Sequence, residues 1–144
     1  MEYLGREAIA QEAAGADLLD LNVGVPGLNW PAVMQRAAAA VSEATDLPLQ
    51  IDSSDPKAIE AGIRKYSGVP LVNSVNGEGA VIDAVFPLVK KYGAVVLGLP
   101  IAGKGLPRTA SQRLASAEPI LARAEGYRIP PTREMIDTPC ETAS

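Results

Sequence analysis

The stretch LPLQIDSSDP, residues 47–56, decides the fold class. Its first six residues form a short, mostly apolar run that ends in Asp52, which is typical of a buried strand in a helix-covered parallel sheet. Asp55 followed by Pro56 is a helix-start signal, because an Asp side chain can accept hydrogen bonds from free amides and Pro suits the first turn. A strand that passes directly into a helix indicates an α/β protein.

The same alternation recurs along the whole chain. The sequence predicts strands over residues 16–24, 47–52, 69–73, 94–99 and 134–137, and helices over residues 2–14, 31–44, 56–66, 78–92 and from Thr109 or Ser111 to about 127. Successive strands begin roughly 20–40 residues apart, which is the spacing of β/α units. A doubly wound open sheet and a β/α barrel both fit this order. No Gly-x-Gly-x-x-Gly turn follows a predicted strand, which disfavours a dinucleotide site.

Composition excludes several classes of function. The chain has 144 residues and a net charge of −4, which argues against a nucleic-acid-binding face. It contains no His, so His general bases and His-ligated metals are excluded, and we expect no bound metal. A single Cys, Cys140, excludes an intrachain disulfide and, without a His partner, is not expected to act as a nucleophile. The start lacks a signal-peptide pattern and no stretch approaches the ~20 apolar residues of a membrane span, so we expect a cytoplasmic protein.

Polar side chains collect where the predicted strands end. Asp20 with Asn22, then Asp52, Asn73 and Asp137 close four of the apolar runs. The carboxyl ends of parallel strands line the ligand site of α/β folds. Carboxylates accept hydrogen bonds and amides both accept and donate them. This rim therefore suits a neutral heterocycle with an amino-amide edge, such as a pterin or a guanine-like ring.

Four segments carry a family resemblance: GADLLDLNVGVPG, LPLQIDSSDPKAIEAG, PLVNSVNGE and KKYGAVVLGL. They resemble the pterin-binding domain family, and more narrowly the methyltetrahydrofolate:corrinoid methyltransferases and the folate domain of cobalamin-dependent methionine synthase. Dihydropteroate synthase shares the fold and pocket, but usually carries Gly-Gly-Glu-Ser where this chain has NVGVP at residues 22–26. The resemblance implies that residues 1–144 form one domain, a partial, dihydropteroate-synthase-like TIM-type barrel. About five of the eight β/α units, the second to the sixth, would be present.

The resemblance also implies a set of pterin-binding residues. Asp52 matches the Asp of the family's DS motif, and Asn73 matches the first Asn of its NSxN motif; both contact the pterin ring in the family. Asp137 matches a second Asp, which hydrogen-bonds to the amino-amide edge of the pterin in the family. Asn22 lies at the matching rim of the strand that precedes the Asp52 strand. A purely structural interpretation makes Asp52 a turn and cap residue, and assigns Asn73 to a tight turn with Asn76. No catalytic residue is predicted.

The function implied by the resemblance is transfer of a methyl group from 5-methyltetrahydrofolate to a corrinoid. The corrinoid, a cobalamin, would be carried by a partner domain or protein, with no metal bound by this chain. The family's first-strand motif and its seventh-strand Asn have no match here, so we expect an incomplete chain that is inactive alone. The alternatives are a truncated, non-catalytic fragment or assembly piece, and a relative of dihydropteroate synthase. An open sheet leaves unpaired edges, which a homodimer or a partner chain could cover.

Overall fold

A computed structural model describes residues 1–101 and 107–138 of the chain. Within these ranges helices and strands alternate. The elements are α1 Glu2–Ala13, β1 Leu19–Asn22, α2 Trp30–Ser42, β2 Leu49–Asp52, α3 Pro56–Ile63, β3 Leu71–Val75, α4 Gly79–Tyr92, β4 Val95–Gly98, α5 Ala110–Gly126, a 3-10 turn Pro131–Arg133 and β5 Glu134–Ile136. The strand order is β1-β2-β3-β4-β5, which follows the sequence. A doubly wound sheet reverses its strand order at a switch point, whereas consecutive units of a β/α barrel do not. The order therefore confirms the predicted barrel-type fold.

Capping residues explain where the helices begin and end. The side chain of Asn29 accepts a hydrogen bond in the first turn of α2, and Asp55 does the same for α3. Thr109 and Gln112 form a reciprocal capping box at the start of α5. Gly93 ends α4 with a φ of 66°, a left-handed conformation that favours glycine. These four helix ends lie within one residue of the boundaries predicted from the sequence, and the capping box selects Thr109 over Ser111 as the cap of α5.

The first compact unit spans Met1–Asn73. In it β1, β2 and the first part of β3 pair in parallel. Helix α2 packs against α3 and β1, and α3 packs against β2. The core side chains of these elements are Leu19, Leu21, Met34, Ala37, Ala38, Val41, Leu49, Ile51, Ala58, Ile59 and Ile63. Because successive strand residues point to opposite faces, the helices cover only one face of β1 and β2. On the other face, exposed or half-buried polar residues alternate with the buried ones.

The second compact unit begins at Ser74. Its described part contains the end of β3 and the parallel pair β4–β5. Helices α4 and α5 are joined by an ion pair between Asp83 and Arg123 and by a 2.9 Å hydrogen bond from the Tyr127 hydroxyl to Asp83. The Tyr127 ring also meets Phe86 edge-on at 5.6 Å. A Cβ on Gly98 of β4 would lie 2.9 Å from Ile136, so glycine permits close approach of β5.

Several predicted boundaries differ from the structure, most of all in β1, β3 and α3. Strand β1 begins at Leu19 rather than at residue 16, because the amides of Gly15 and Ala16 still bond to carbonyls of α1. Strand β3 spans Leu71–Val75 rather than residues 69–73, since Pro70 has no amide proton for the ladder. Helix α3 ends at Ile63, three residues early. The interpretation of the chain as one domain stays a prediction.

Candidate functional site

Three predicted site residues lie at one level of adjacent parallel strands. Asn22 pairs in register with Asp52, and Asp52 pairs in register with Asn73. Asn22 and Asp52 end their strands, and Asn73, the middle residue of β3, lies level with them rather than at the end of its strand as predicted. The three side chains mark the carboxyl-end rim of β1 and β2. Asn22 is exposed, whereas Asp52 and Asn73 are half-buried. The expected grouping of these three residues is therefore seen in the backbone register.

Asn22 orients the Asp52 carboxylate. Its Nδ2 donates a hydrogen bond to Asp52 Oδ2 over 2.8 Å, and its Oδ1 accepts one from the Gly24 amide over 2.8 Å. Both ends of the amide are thus engaged, which fixes the direction in which Asn22 donates. Within the described part of the chain, Asp52 Oδ1 accepts no hydrogen bond. This oxygen is available to a ligand.

Other residues perform the turn and cap roles that could have explained Asp52 and Asn73. Ser53 Oγ accepts a hydrogen bond from the Asp55 amide over 3.1 Å, and Asp55 caps α3. After β3, Asn76 Oδ1 accepts from the amide of Glu78 over 3.0 Å. The side chains of Asp52 and Asn73 take no part in these turns. The hydrogen bonds of these two turns are therefore made by Ser53, Asp55 and Asn76, and the ligand role of Asp52 and Asn73 stays a prediction.

A second polar pair, Asp20 and Gln50, lies two residues before the rim on the same face of β1 and β2. The two residues are register partners, and Gln50 Nε2 donates to Asp20 Oδ1 over 2.6 Å. Burial raises the pKa of Asp20, the Gln50 hydrogen bond opposes that change, and the charge on Asp52 adds to it. Gln50 was not predicted as a site residue from the sequence. Its signal was the i, i+2 spacing in DLN and QID, which places alternate polar residues on one face of a strand.

Asp137 belongs to the second unit. It is exposed and follows β5 directly, and its amide donates to the Gly98 carbonyl over 3.0 Å, which continues the β4–β5 ladder. It therefore stands at the carboxyl end of its strand, as predicted. That Asp137 shares a pocket with Asp52 stays a prediction. Cys140 and residues 102–106 lie outside the described residues.

Two other features, a metal-ligand cluster and a membrane-spanning helix, are not found among the described residues. In residues 1–101 and 107–138, no group of three or more His, Cys, Asp or Glu side chains is placed to hold a metal ion. Across the same residues, no helix combines the length and apolar character needed to cross a membrane.

Consecutive parallel β/α units with a polar rim at their strand ends define a ligand-binding domain of the β/α-barrel type. A family model described as "Pterin binding enzyme" matches residues 4–127. The chain therefore belongs to the pterin-binding enzyme family, which confirms the resemblance noted in its sequence.

Relatives and a solved structure agree with this assignment. The chain is 31% identical over 134 residues to methionine synthase of Mycobacterium tuberculosis, covering 89% of this chain and 11% of that protein. It is 30% identical over 149 positions to methylcorrinoid:tetrahydrofolate methyltransferase of Eubacterium limosum, covering 98% and 52%. The crystal structure of Burkholderia cenocepacia dihydropteroate synthase superposes with a TM-score of 0.70 at 25% identity, covering 94% and 52%. The chain thus spans about half or less of these proteins.

Proposed function

We propose that the pterin ring of a reduced folate binds at the carboxyl ends of β1, β2 and β3. The observation that supports this most directly is the Asp52 carboxylate, which the Asn22 amide holds in place at 2.8 Å while Oδ1 stays available. A pterin presents neighbouring N–H donors along its amino-amide edge, and a carboxylate is the acceptor that pairs best with such donors. Membership of the pterin-binding enzyme family supports the same ligand.

Each site residue receives a role in this proposal. Asp52 accepts hydrogen bonds from the pterin, and Asn73 both donates to and accepts from the ring. Asn22 acts through Asp52 as a positioning residue. Asp137 supplies a second carboxylate to the amino-amide edge. In this proposal, recognition of the ring rests on these carboxylates and amides.

The proposed substrate is 5-methyltetrahydrofolate, and the proposed methyl acceptor is a corrinoid carried by a partner domain or protein. The names of the relatives, methionine synthase and methylcorrinoid:tetrahydrofolate methyltransferase, motivate methyl transfer between a folate and a corrinoid over dihydropteroate synthesis. So does the sequence NVGVP at residues 22–26, which departs from the synthase pattern. We place the activity in the cytoplasm, where the single Cys would stay reduced. A homodimer or a partner chain would cover the unpaired edges of the sheet.

The 144-residue chain alone is proposed to bind folate without transferring the methyl group. Transfer breaks the N5–methyl bond and leaves an electron pair on N5, which must be protonated. Neither Asn22 nor Asn73 is an acid, and carboxyl groups ordinarily titrate near 4. The pKa of Asp20 is raised, but its carboxylate already accepts from Gln50 below the rim. An assembly piece that binds pterin without catalysis is therefore the second candidate.

Calorimetric titration of the purified chain with 5-methyltetrahydrofolate tests the binding proposal, with pterin as the comparison ligand. We expect heat from the folate and from pterin, since both carry the recognised edge. Absence of binding to either ligand would contradict the proposal. A second assay follows the absorbance of a corrinoid protein mixed with the chain and methyltetrahydrofolate. Methyl transfer well above the protein-free rate would overturn the proposal that the chain alone is inactive.

A further inference from the structure

Asn76 and Gly77 form an Asn-Gly pair in the turn between β3 and α4. The chain has four asparagines, and the other three, Asn22, Asn29 and Asn73, precede Val, Trp and Ser. Glycine has no side chain to shield its own amide nitrogen. The main-chain nitrogen that follows Asn76 is therefore the least hindered neighbour of any asparagine side chain in this protein.

The amide of Gly77 is open to a reaction. Gly77 is exposed, and the nearest described atom that a Cβ built on it would meet is the Ile101 carbonyl oxygen, at 3.8 Å. Among the described residues, this amide donates no hydrogen bond. Asn73 differs, because it lies inside β3 and the amide of the next residue, Ser74, belongs to the same strand. Only the nitrogen after Asn76 thus combines a glycine, exposure and a loop position.

The side chain of Asn76 is folded back over the same peptide group. Its Oδ1 accepts a hydrogen bond from the Glu78 amide over 3.0 Å, which closes an Asx turn across Gly77. This turn brings the Asn76 carboxamide towards the Gly77 nitrogen, and proximity of this kind favours a reaction between them. The Glu78 amide would also stabilise negative charge that develops on Oδ1, as an oxyanion donor does. Across the described chain, Nδ2 of Asn76 makes no hydrogen bond that would hold it in place.

We propose that Asn76 deamidates in the folded protein through a succinimide formed with Gly77. The Gly77 nitrogen gives its proton to water and attacks Cγ of Asn76. The new C–N bond replaces the bond between Cγ and Nδ2, and Nδ2 leaves as ammonia. Water then opens the ring at either carbonyl, which leaves aspartate at position 76 or isoaspartate, in which the main chain runs through Cβ. Either product adds one negative charge in the turn before α4, and the reaction does not depend on pterin binding.

Incubation of the folded 144-residue chain at mildly alkaline pH, followed by peptide mapping with mass spectrometry, tests the proposal. We expect the mass change of an NH2-to-OH exchange at position 76, at least about tenfold faster than at the other three asparagines. A protein isoaspartyl methyltransferase should label the product at the same position. Equal rates at all four asparagines would overturn the proposal. So would a reaction that occurs only after the chain has been unfolded in urea.

Two pairs of variants test the geometry of the turn. Glu78→Pro removes the amide that bonds to Asn76, and the φ of −80° at this residue suits proline. It should slow deamidation by at least about tenfold, whereas Glu78→Ala, which keeps the amide, should react like the parent. Gly77→Ala should also slow the reaction, and Gly79→Ala, at the first residue of α4, should not. Equal rates within either pair, with all variants folded by circular dichroism, would contradict the proposed route.

Discussion

Replacement of Asp52 by Ala should weaken binding of 5-methyltetrahydrofolate to the 144-residue chain by about 10- to 100-fold. Oδ2 of Asp52 is already engaged by Asn22 at 2.8 Å, so Oδ1 is the oxygen that meets the ligand. A hydrogen bond to a charged group contributes roughly 1.5–3 kcal/mol, and about 1.4 kcal/mol is a factor of ten in Kd. Because Asp52 is half-buried, water screens this bond only in part. The assay is calorimetric titration of parent and variant under one buffer condition.

Two further variants sharpen this test. Asp52→Asn keeps the size of the side chain and its acceptor for Asn22, but turns an amide donor toward the ligand's own N–H groups. We expect it to bind folate no better than Asp52→Ala. Asp46→Ala is the matched control, because Asp46 is an exposed carboxylate just before β2, at the opposite end of that strand from Asp52. It should bind like the parent. The role assigned to Asp52 would be refuted if parent and Asp52→Ala had equal Kd values and circular dichroism showed that both proteins are folded.

Three predictions concern stability. Thr109→Ala removes the capping box of α5 and should lower the free energy of unfolding by about 1 kcal/mol in urea denaturation, whereas Thr109→Ser should retain most of it; equal losses would contradict the cap. Gly93→Ala places a Cβ at a φ of 66° and should cost roughly 1–2 kcal/mol by the same measurement, with Gly93→Asn less affected; an unchanged midpoint would argue against a required left-handed residue. The Arg123 guanidinium, and then the Tyr127 hydroxyl, hold the pKa of Asp83 below its usual value, so this pair stabilises the fold above the unfolded-state pKa. The melting temperature of Arg123→Ala should therefore fall below the parent's at neutral pH, and the gap should close as pH falls from about 5 towards 2. A gap that is constant with pH would exclude the ion pair as its cause.

The helix ends that carry these caps were predictable because caps act locally. Asn29, Asp55, Thr109 and Gly93 each serve a helix end within four residues of themselves, so the sequence around them contains the whole interaction. Strand boundaries depend on partners far along the chain. The run VPLVN at residues 69–73 looks like one strand, yet Val69 is 54% exposed and the ladder with β2 begins at Leu71. No local feature distinguishes the first two residues of that run from a paired strand, except the missing amide of Pro70.

The candidate site was predictable in composition but not in its contacts. Asn22 and Asp52 could be identified as strand-end residues from the sequence, whereas Asn73, which was also predicted to end its strand, lies in the middle of β3. The Asn22–Asp52 hydrogen bond joins residues 30 positions apart, and its existence depends on the β1–β2 register. Gln50 was missed for the same reason. The Gln50 amide lies in the middle of an apolar run, and its hydrogen bond becomes evident only when its register partner, Asp20, is known.

The core and the candidate site lie on opposite faces of β1 and β2. Leu21 and Ile51 are register partners that point toward the helices, and Asn22 and Asp52 follow them on the other face. A slip of one residue between β1 and β2 would break the Asn22–Asp52 pair, and a residue that changed faces would expose a buried Leu or Ile. The hydrophobic cost of such exposure, about 1.5–3 kcal/mol for each large side chain, exceeds the gain from one exposed polar hydrogen bond. The apolar residues therefore fix the register, and the placement of the Asp52 carboxylate beside Asn22 follows from it.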